Sequence, residues 1–145
     1  MENLRIRKLK KEDSEAVYRI YAAITRKPVS ADFKRVVADH AGREDSACFV
    51  AEIDGAVVGF MISYILTAGF GMTQSAWIPT LGVSPDQMGQ GIGAALAQEI
   101  FSFYHSRGIE NVYTSVRWDS TDMLSFFKTR GFDRSNFINL RKVLK

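Results

Sequence analysis

The sequence predicts a mixed α/β domain, a single sheet with helices packed on both faces, and three observations point to it. Asp54-Gly55 separates the apolar runs 47–53 and 56–66, and this dipeptide supplies the positive φ angles of a two-residue hairpin turn. Ala56-Val57-Val58-Gly59-Phe60-Met61-Ile62 is apolar without alternation, as expected of an inner strand covered on both sides. Elsewhere, as in Ile92, Leu96, Ile100 and Phe103, apolar residues recur at helical spacing.

Taken in order, Leu4, Ile6 and Leu9 sit at near period-two spacing among basic residues and read as a first strand. Ala16, Val17, Ile20, Tyr21 and Ile24 follow as a helix that Pro28 stops. Ser30 is placed to cap a second short helix carrying Phe33, Val36, Val37 and His40 and ending at Gly42, with His40 read as a partly exposed helix residue. The hairpin comes next, then a Gly-containing loop over 68–75. Residues 76–83 form a strand in which Pro79 requires a bulge or an unpaired position. A Gly-rich turn leads into the helix of Ile92 to Phe103, which Gly108 ends. Residues 111–118 are a further strand. Asp119 or Ser120 caps a last helix bearing Met123, Phe126 and Phe127, Gly131 ends it, and residues 132–144 are expected to form a final strand.

Composition bounds the function. The 145 residues suit one domain, 1–145, and 46% apolar with 24% charged residues suits a globular chain. The net charge of +3 accommodates an anionic ligand, but outside the two ends the basic residues are interspersed with acids, which argues against nucleic acid. The lone Cys48 lies in an apolar run and reads as a buried, inert thiol. The N-terminal residues lack the apolar core of a secretory signal and the run 56–66 is too short to span a bilayer, so a cytoplasmic protein is expected.

The chemistry concentrates in residues 80–94. Gly89, Gly91 and Gly93 alternate where a strand turns into a helix; without side chains they let a ligand approach the backbone. The amides that open a helix have no intrahelical partner, and the helix dipole adds positive potential, so a pyrophosphate can be held there without a cationic side chain. No Gly-Lys-Ser or Gly-Lys-Thr follows, which disfavours a Walker-type loop. Gly89, Gly91 and Ala94 fit the spacing of a dinucleotide fingerprint, yet the turn follows an antiparallel hairpin and the required acid would be Asp119, too far along.

On these residues the chain resembles the GNAT superfamily of acyl-CoA-dependent N-acetyltransferases over nearly its whole length. Val83-Ser84-Pro85 matches the family's Val-x-Pro, Gly91 and Gly93 match the Gly-x-Gly/Ala that follows, and Met88 replaces the usual Arg or Gln. The second signature, Phe-Tyr-x-x-x-Gly-Phe, appears as Phe126-Phe127-Lys128-Thr129-Arg130-Gly131-Phe132. The resemblance implies a mostly antiparallel central sheet of 6–7 strands with about four helices on both faces. It also implies acetyl-CoA as cosubstrate and no metal, with direct attack by the primary amine of a small molecule or peptide on the thioester.

The cofactor-binding positions it implies are Leu81, Gly82, Val83, Met88, Gly89, Gln90, Gly91, Ile92, Gly93, Ala94, Ser120, Phe126 and Phe127. Backbone amides of the strand ending at Val83 would polarise the carbonyl. Two groups are missing: the usual acid, a tyrosine, is Phe127, and residues 76–83 hold no carboxylate to act as base. A thiol of pKa roughly 8.5 leaves as thiolate at a cost of only about 2 kcal/mol at neutral pH, so the missing acid is tolerable. Deprotonating an amine of pKa about 10.4 costs nearly 5 kcal/mol, against about 1.4 for an α-amino group, which favours a low-pKa acceptor.

Tyr64, Asp119 and Ser120 are the catalytic candidates, with Thr80 or a held water beside them; Asp119 and Ser120 are equally explained as a helix cap. Trp77, Trp118 and Phe70 are candidates for an acceptor pocket, though aromatics of this kind are more often core, and Lys128 is within reach of a phosphate unless it is simply solvated. The competing function is a non-catalytic acyl-CoA sensor. A homodimer and the identity of the acceptor stay open.

Overall fold

A computed structural model describes residues 3–25, 29–30, 32–67 and 74–145. Pro28 and residues 68–73, including Phe70, therefore lie outside the described residues, and the last two residues of the loop expected over 68–75 belong instead to a strand. Five strands make one sheet in the order β1 (Leu4–Lys8), β2 (Phe49–Ile53), β3 (Ala56–Thr67), β4 (Gln74–Val83) and β5 (Val112–Thr114). The first three pairings are antiparallel and the last is parallel. Asp54 and Gly55 take φ of 51° and 83°, the paired positive angles a twisted two-residue hairpin needs.

Among the described residues four α-helices cover this sheet: α1 (Ser14–Thr25), α2 (Asp32–Ala41), α3 (Ile92–Ser106) and α4 (Thr121–Thr129). Side chains of β3 alternate between two cores, as the unbroken apolar run predicts. Phe60 and Ile62 join Val17, Ile20 and Val37 of α1 and α2, while Met61 joins Leu96, Ile100 and Tyr104 of α3 together with Phe127 of α4. Cys48 is buried in the first core with its thiol donating to the Ser63 carbonyl, and burial raises its pKa. No described helix is long and apolar enough to cross a membrane.

Two polar clusters brace the layers. Ala47 N–H donates to the Tyr104 hydroxyl at 3.0 Å, the Tyr104 hydroxyl lies 2.6 Å from Ser63 Oγ, and Ser63 in turn donates to the Ala47 carbonyl. This ring ties the second half of α3 to β3 and to the residues that lead into β2. At the outer edge Arg7 of β1 donates to both carboxylate oxygens of Asp13 at 2.8 and 2.9 Å and to Glu52 of β2 at 2.9 Å, which fixes the start of α1 against the sheet.

The expected sixth strand, 132–144, is absent: those residues join no ladder, and the described sheet has five strands rather than six or seven. The strand expected over 111–118 is also cut to Val112–Thr114. Both departures have one cause. A strand needs a long partner edge and a face to bury, and β5 offers an edge of three residues; beside it the segment makes one side-chain bond, Asn139 Nδ2 to Ser115 Oγ at 2.9 Å, and leaves Ile138 and Leu140 exposed.

Candidate active site

The site begins where β4 and β5 part. Their pairing covers only Ala76–Ile78 against Val112–Thr114. Thr114 donates its hydroxyl to the Ile78 carbonyl at 2.7 Å, and the next residue, Pro79, has no N–H to offer. On the other side Ile62 faces Thr80 and Tyr64 faces Trp77, so β4 carries one extra residue there, the bulge that Pro79 foretold. Beyond it β4 keeps β3 as its partner but has lost β5.

The direction of the free backbone groups follows from antiparallel alternation. Ser84 N–H donates to the Val58 carbonyl at 2.8 Å, which makes the Ser84 and Gly82 positions the bonded ones toward β3. Leu81 and Val83 therefore turn their N–H and C=O groups the other way, into the gap left by β5. Gly82 serves a separate need: an added Cβ there would lie 2.7 Å from Ile24 of α1 and 2.8 Å from the Phe60 ring.

The gap runs into the turn before α3. Gly89 and Gly91 have φ of 81° and 80°, and Gly91, the N-cap of α3, makes no side-chain cap. The first intrahelical bond is Ala95 N–H to the Gly91 carbonyl at 3.1 Å, so the amides of Ile92, Gly93 and Ala94 remain for a ligand. An added Cβ at Gly89 or Gly91 meets nothing within 4 Å; these glycines are needed for their backbone angles. Gly93 differs, since a Cβ there would sit 3.0 Å from the Phe126 ring of α4. The three glycines thus have two reasons.

A cavity of about 410 Å³ joins these parts. Of the positions expected to bind a cofactor, Leu81, Gly82, Val83, Met88, Gly89, Gly91, Ile92, Gly93, Ala94 and Phe126 line it. Gln90 and Ser120 do not, and Phe127 is turned into the core at 3% exposure. Ile24, Gln87, Met123 and Arg130 also line it and were not read as site residues from the sequence. Met123 and Arg130 flank Phe126 at helical spacing, a signal that the sequence did carry.

The three catalytic candidates do not meet in this cavity. Tyr64 lies on the α1/α2 face of the sheet with its ring 6.5 Å from that of His40. His40 is the partly exposed helix residue expected; burial holds its pKa below the ordinary histidine value, and its Nδ1 has no hydrogen-bond partner among the described residues. Asp119 is exposed and accepts two bonds from Arg117 at 3.0 Å, which lowers its pKa and makes it a weaker base. Ser120 occupies the N-cap position of α4 without making a capping bond. Trp77 stacks on Tyr113 at 4.8 Å, while Trp118 and Lys128 are exposed. Among the described residues no group of three metal-binding side chains occurs.

A strand edge with free amides thus opens onto the uncapped start of a helix, an arrangement whose donors suit an extended ligand with an anionic end. The family profile described as acetyltransferase (GNAT) family matches residues 14–132, and the chain belongs to that family. A mycothiol acetyltransferase of Amycolatopsis mediterranei (strain U-32) is 30% identical over 136 residues, covering 85% of this chain and 44% of that protein. An L-2,4-diaminobutyric acid acetyltransferase of Nocardia farcinica (strain IFM 10152) is 30% identical over 78 residues, covering 54% of this chain and 39% of that protein. The chain thus spans less than half the length of these curated relatives.

Among solved structures, the aminoglycoside acetyltransferase meta-AAC0020 from an uncultured soil metagenomic sample superposes with a TM-score of 0.82 at 23% identity, over 99% of this chain and 97% of that one. The aminoglycoside N-acetyltransferase AAC(6')-Iy in complex with CoA gives 0.83 at 14% identity, over 99% and 96%. At these identities the likeness establishes the fold.

Proposed function

We propose that this chain is an N-acetyltransferase that moves an acetyl group from acetyl-CoA to a primary amine by direct attack. The observation that carries the reading is one cavity holding both the outward-turned backbone groups of Leu81 and Val83 and the free amides of Ile92 to Ala94. Acetyl-CoA supplies the activated thioester. The residues present fit it: the α3 amides and helix dipole suit its pyrophosphate, and the β4 groups suit the amides of its pantetheine arm. A Leu81 or Val83 N–H aimed at the thioester oxygen is the electrophilic element, since a fixed donor of this kind stabilises the charge developing there by about 3 kcal/mol.

No Asp, Glu or His is among the described residues lining the cavity. The acceptor therefore has to arrive with an amine that is readily deprotonated, which places small molecules with amines of depressed pKa, and peptide α-amino groups, ahead of lysine side chains. A single domain over 1–145 and a cytoplasmic location belong to the same reading.

Calorimetry with CoA, followed by thiol release from acetyl-CoA across a panel of amines and peptides, tests it. Binding with turnover of at least one amine is expected. Absence of CoA binding overturns the reading. Binding without turnover on any acceptor favours the acyl-CoA sensor instead, a reading that the buried Phe127 and the carboxylate-free cavity support.

A further inference from the structure

The amides of the α3 cradle act on one side of the cavity, and Arg130 at the end of α4 lines another. It is the one charged side chain among the described residues that line this cavity. Its guanidinium lies 4.8 Å from the centre of the Phe126 ring, and that ring reaches to within 3.0 Å of the Cβ position of Gly93 in the first turn of α3. Helix start, aromatic ring and guanidinium are thus stacked in sequence. No carboxylate within the described residues forms an ion pair with Arg130; the same holds for Arg43, Arg107, Arg134 and Arg141, but of these arginines Arg130 alone lines the cavity. Lys128, the cation that the sequence brought forward, is exposed and outside the cavity. Met88, on the cradle side, carries no charge.

A guanidinium placed over a ring still has N–H groups to offer for bidentate bonding, and phosphate is an oxyanion that such a fork matches. The surroundings agree, because the neighbouring donors, the α3 amides, favour an anion as well. We propose that Arg130 is a phosphate-binding residue of this site: it donates to oxygens of the pyrophosphate held by the α3 amides, with Phe126 as its positioning residue. The assignment rests on the acyl-CoA reading and deepens it, since a cradle built from backbone alone gains from α4 a cation that carries most of its salt dependence.

The test is calorimetric, with the whole chain and two probes, CoA and 3′-dephospho-CoA, which keeps the pyrophosphate. R130Q is expected to weaken both ligands by the same factor, about tenfold or more. It is also expected to flatten the dependence of log Kd on log salt by about one charge. R130K keeps a point charge without the fork and falls between, with the salt slope retained. F126L, which removes the ring but keeps an apolar side chain, weakens CoA without changing that slope.

A Kd for R130Q within twofold of wild type overturns the proposal, and so does a loss seen with CoA but not with 3′-dephospho-CoA. Wild-type protein that binds neither probe overturns the acyl-CoA reading along with it, so the two failures are distinguishable. Thermal melts of the variants separate lost binding from lost fold, and should R130Q fail to fold, the intermediate Kd of R130K decides in its place.

Discussion

Substituting Gly91 separates the backbone role of the cradle from its role in holding a ligand. Its φ of 80° and ψ of 11° lie in the left-handed region, and an added Cβ would meet nothing within 4 Å. Strain is then the only cost in the free protein, about 1–2 kcal/mol for a residue with a Cβ, partly offset by the less flexible unfolded chain. A net loss of about 1 kcal/mol, or about 3–4 °C in Tm for a domain of this size, follows for G91A. G91L should lose nearly the same amount, because its side chain also projects into open space. CoA binding should part the two variants. Gly91 lines the cavity beside the free amides, so leucine fills the room the ligand needs while alanine only crowds it. Urea unfolding and calorimetry on both variants are the assays, and the expected pattern is equal stability with at least a tenfold weaker Kd for G91L. Equal CoA affinity of the two would refute the placement of the ligand at this turn. A loss above about 3 kcal/mol for G91A would refute the account of its backbone, because left-handed strain alone does not reach that figure.

Three further outcomes follow from the surrounding structure. G82A forces a Cβ against Ile24 and Phe60 and should cost about 1–3 kcal/mol by overpacking, with a shift of β4 visible as a raised KM for acetyl-CoA. Y104F strips the acceptor from the buried Ala47 N–H and a partner from Ser63, for a loss of about 2–3 kcal/mol in urea unfolding; S63A on that background should cost less than on wild type, since the ring is already open. D13N should cost about 3 kcal/mol at pH 7, because Arg7 keeps only one carboxylate partner, Glu52. Burial opposes ionisation of Asp13, but the bonds from Arg7 and the Lys10 amide outweigh it and hold its pKa below the ordinary carboxylate value. A lowered folded pKa stabilises at pH above the unfolded value, so the gap between wild type and D13N should persist from pH 7 to 5 and close as the pH falls below about 4. A gap independent of pH would remove the carboxylate from this explanation.

Much of the architecture was legible because its causes are local. Asp54-Gly55 dictates a turn by its own φ preferences, and the run from Ala56 to Ile62 states that both faces are covered. Residues 132–144 failed as a strand for a reason no local pattern contains, namely that the edge they need, β5, ends after three residues. The glycines show the same division within one motif. Gly89 and Gly91 answer to backbone angles, a property of the turn itself, whereas Gly93 answers to a Phe126 ring brought there by α4, so the tertiary contact alone distinguishes it from its neighbours.

That division also explains why one half of the candidate site could be read and the other could not. Binding a pyrophosphate through helix-start amides requires a backbone shape, and a short run of residues specifies a shape. Proton transfer requires side chains from separate elements to converge, and the candidates did not: Tyr64 sits on β3 beside His40, Asp119 is spent on Arg117, Ser120 stands at the start of α4, and none lines the cavity. A cavity whose described lining has one cation, Arg130, and free amides but no carboxylate is well suited to hold and polarise the acetyl donor and poorly suited to deprotonate an ammonium. The acidity of the acceptor amine is then the variable on which turnover turns. Across a series of acceptors of similar size, the apparent pKa of kcat/KM should follow the amine's own pKa, whereas a dedicated enzymic base would fix it at one value for all of them.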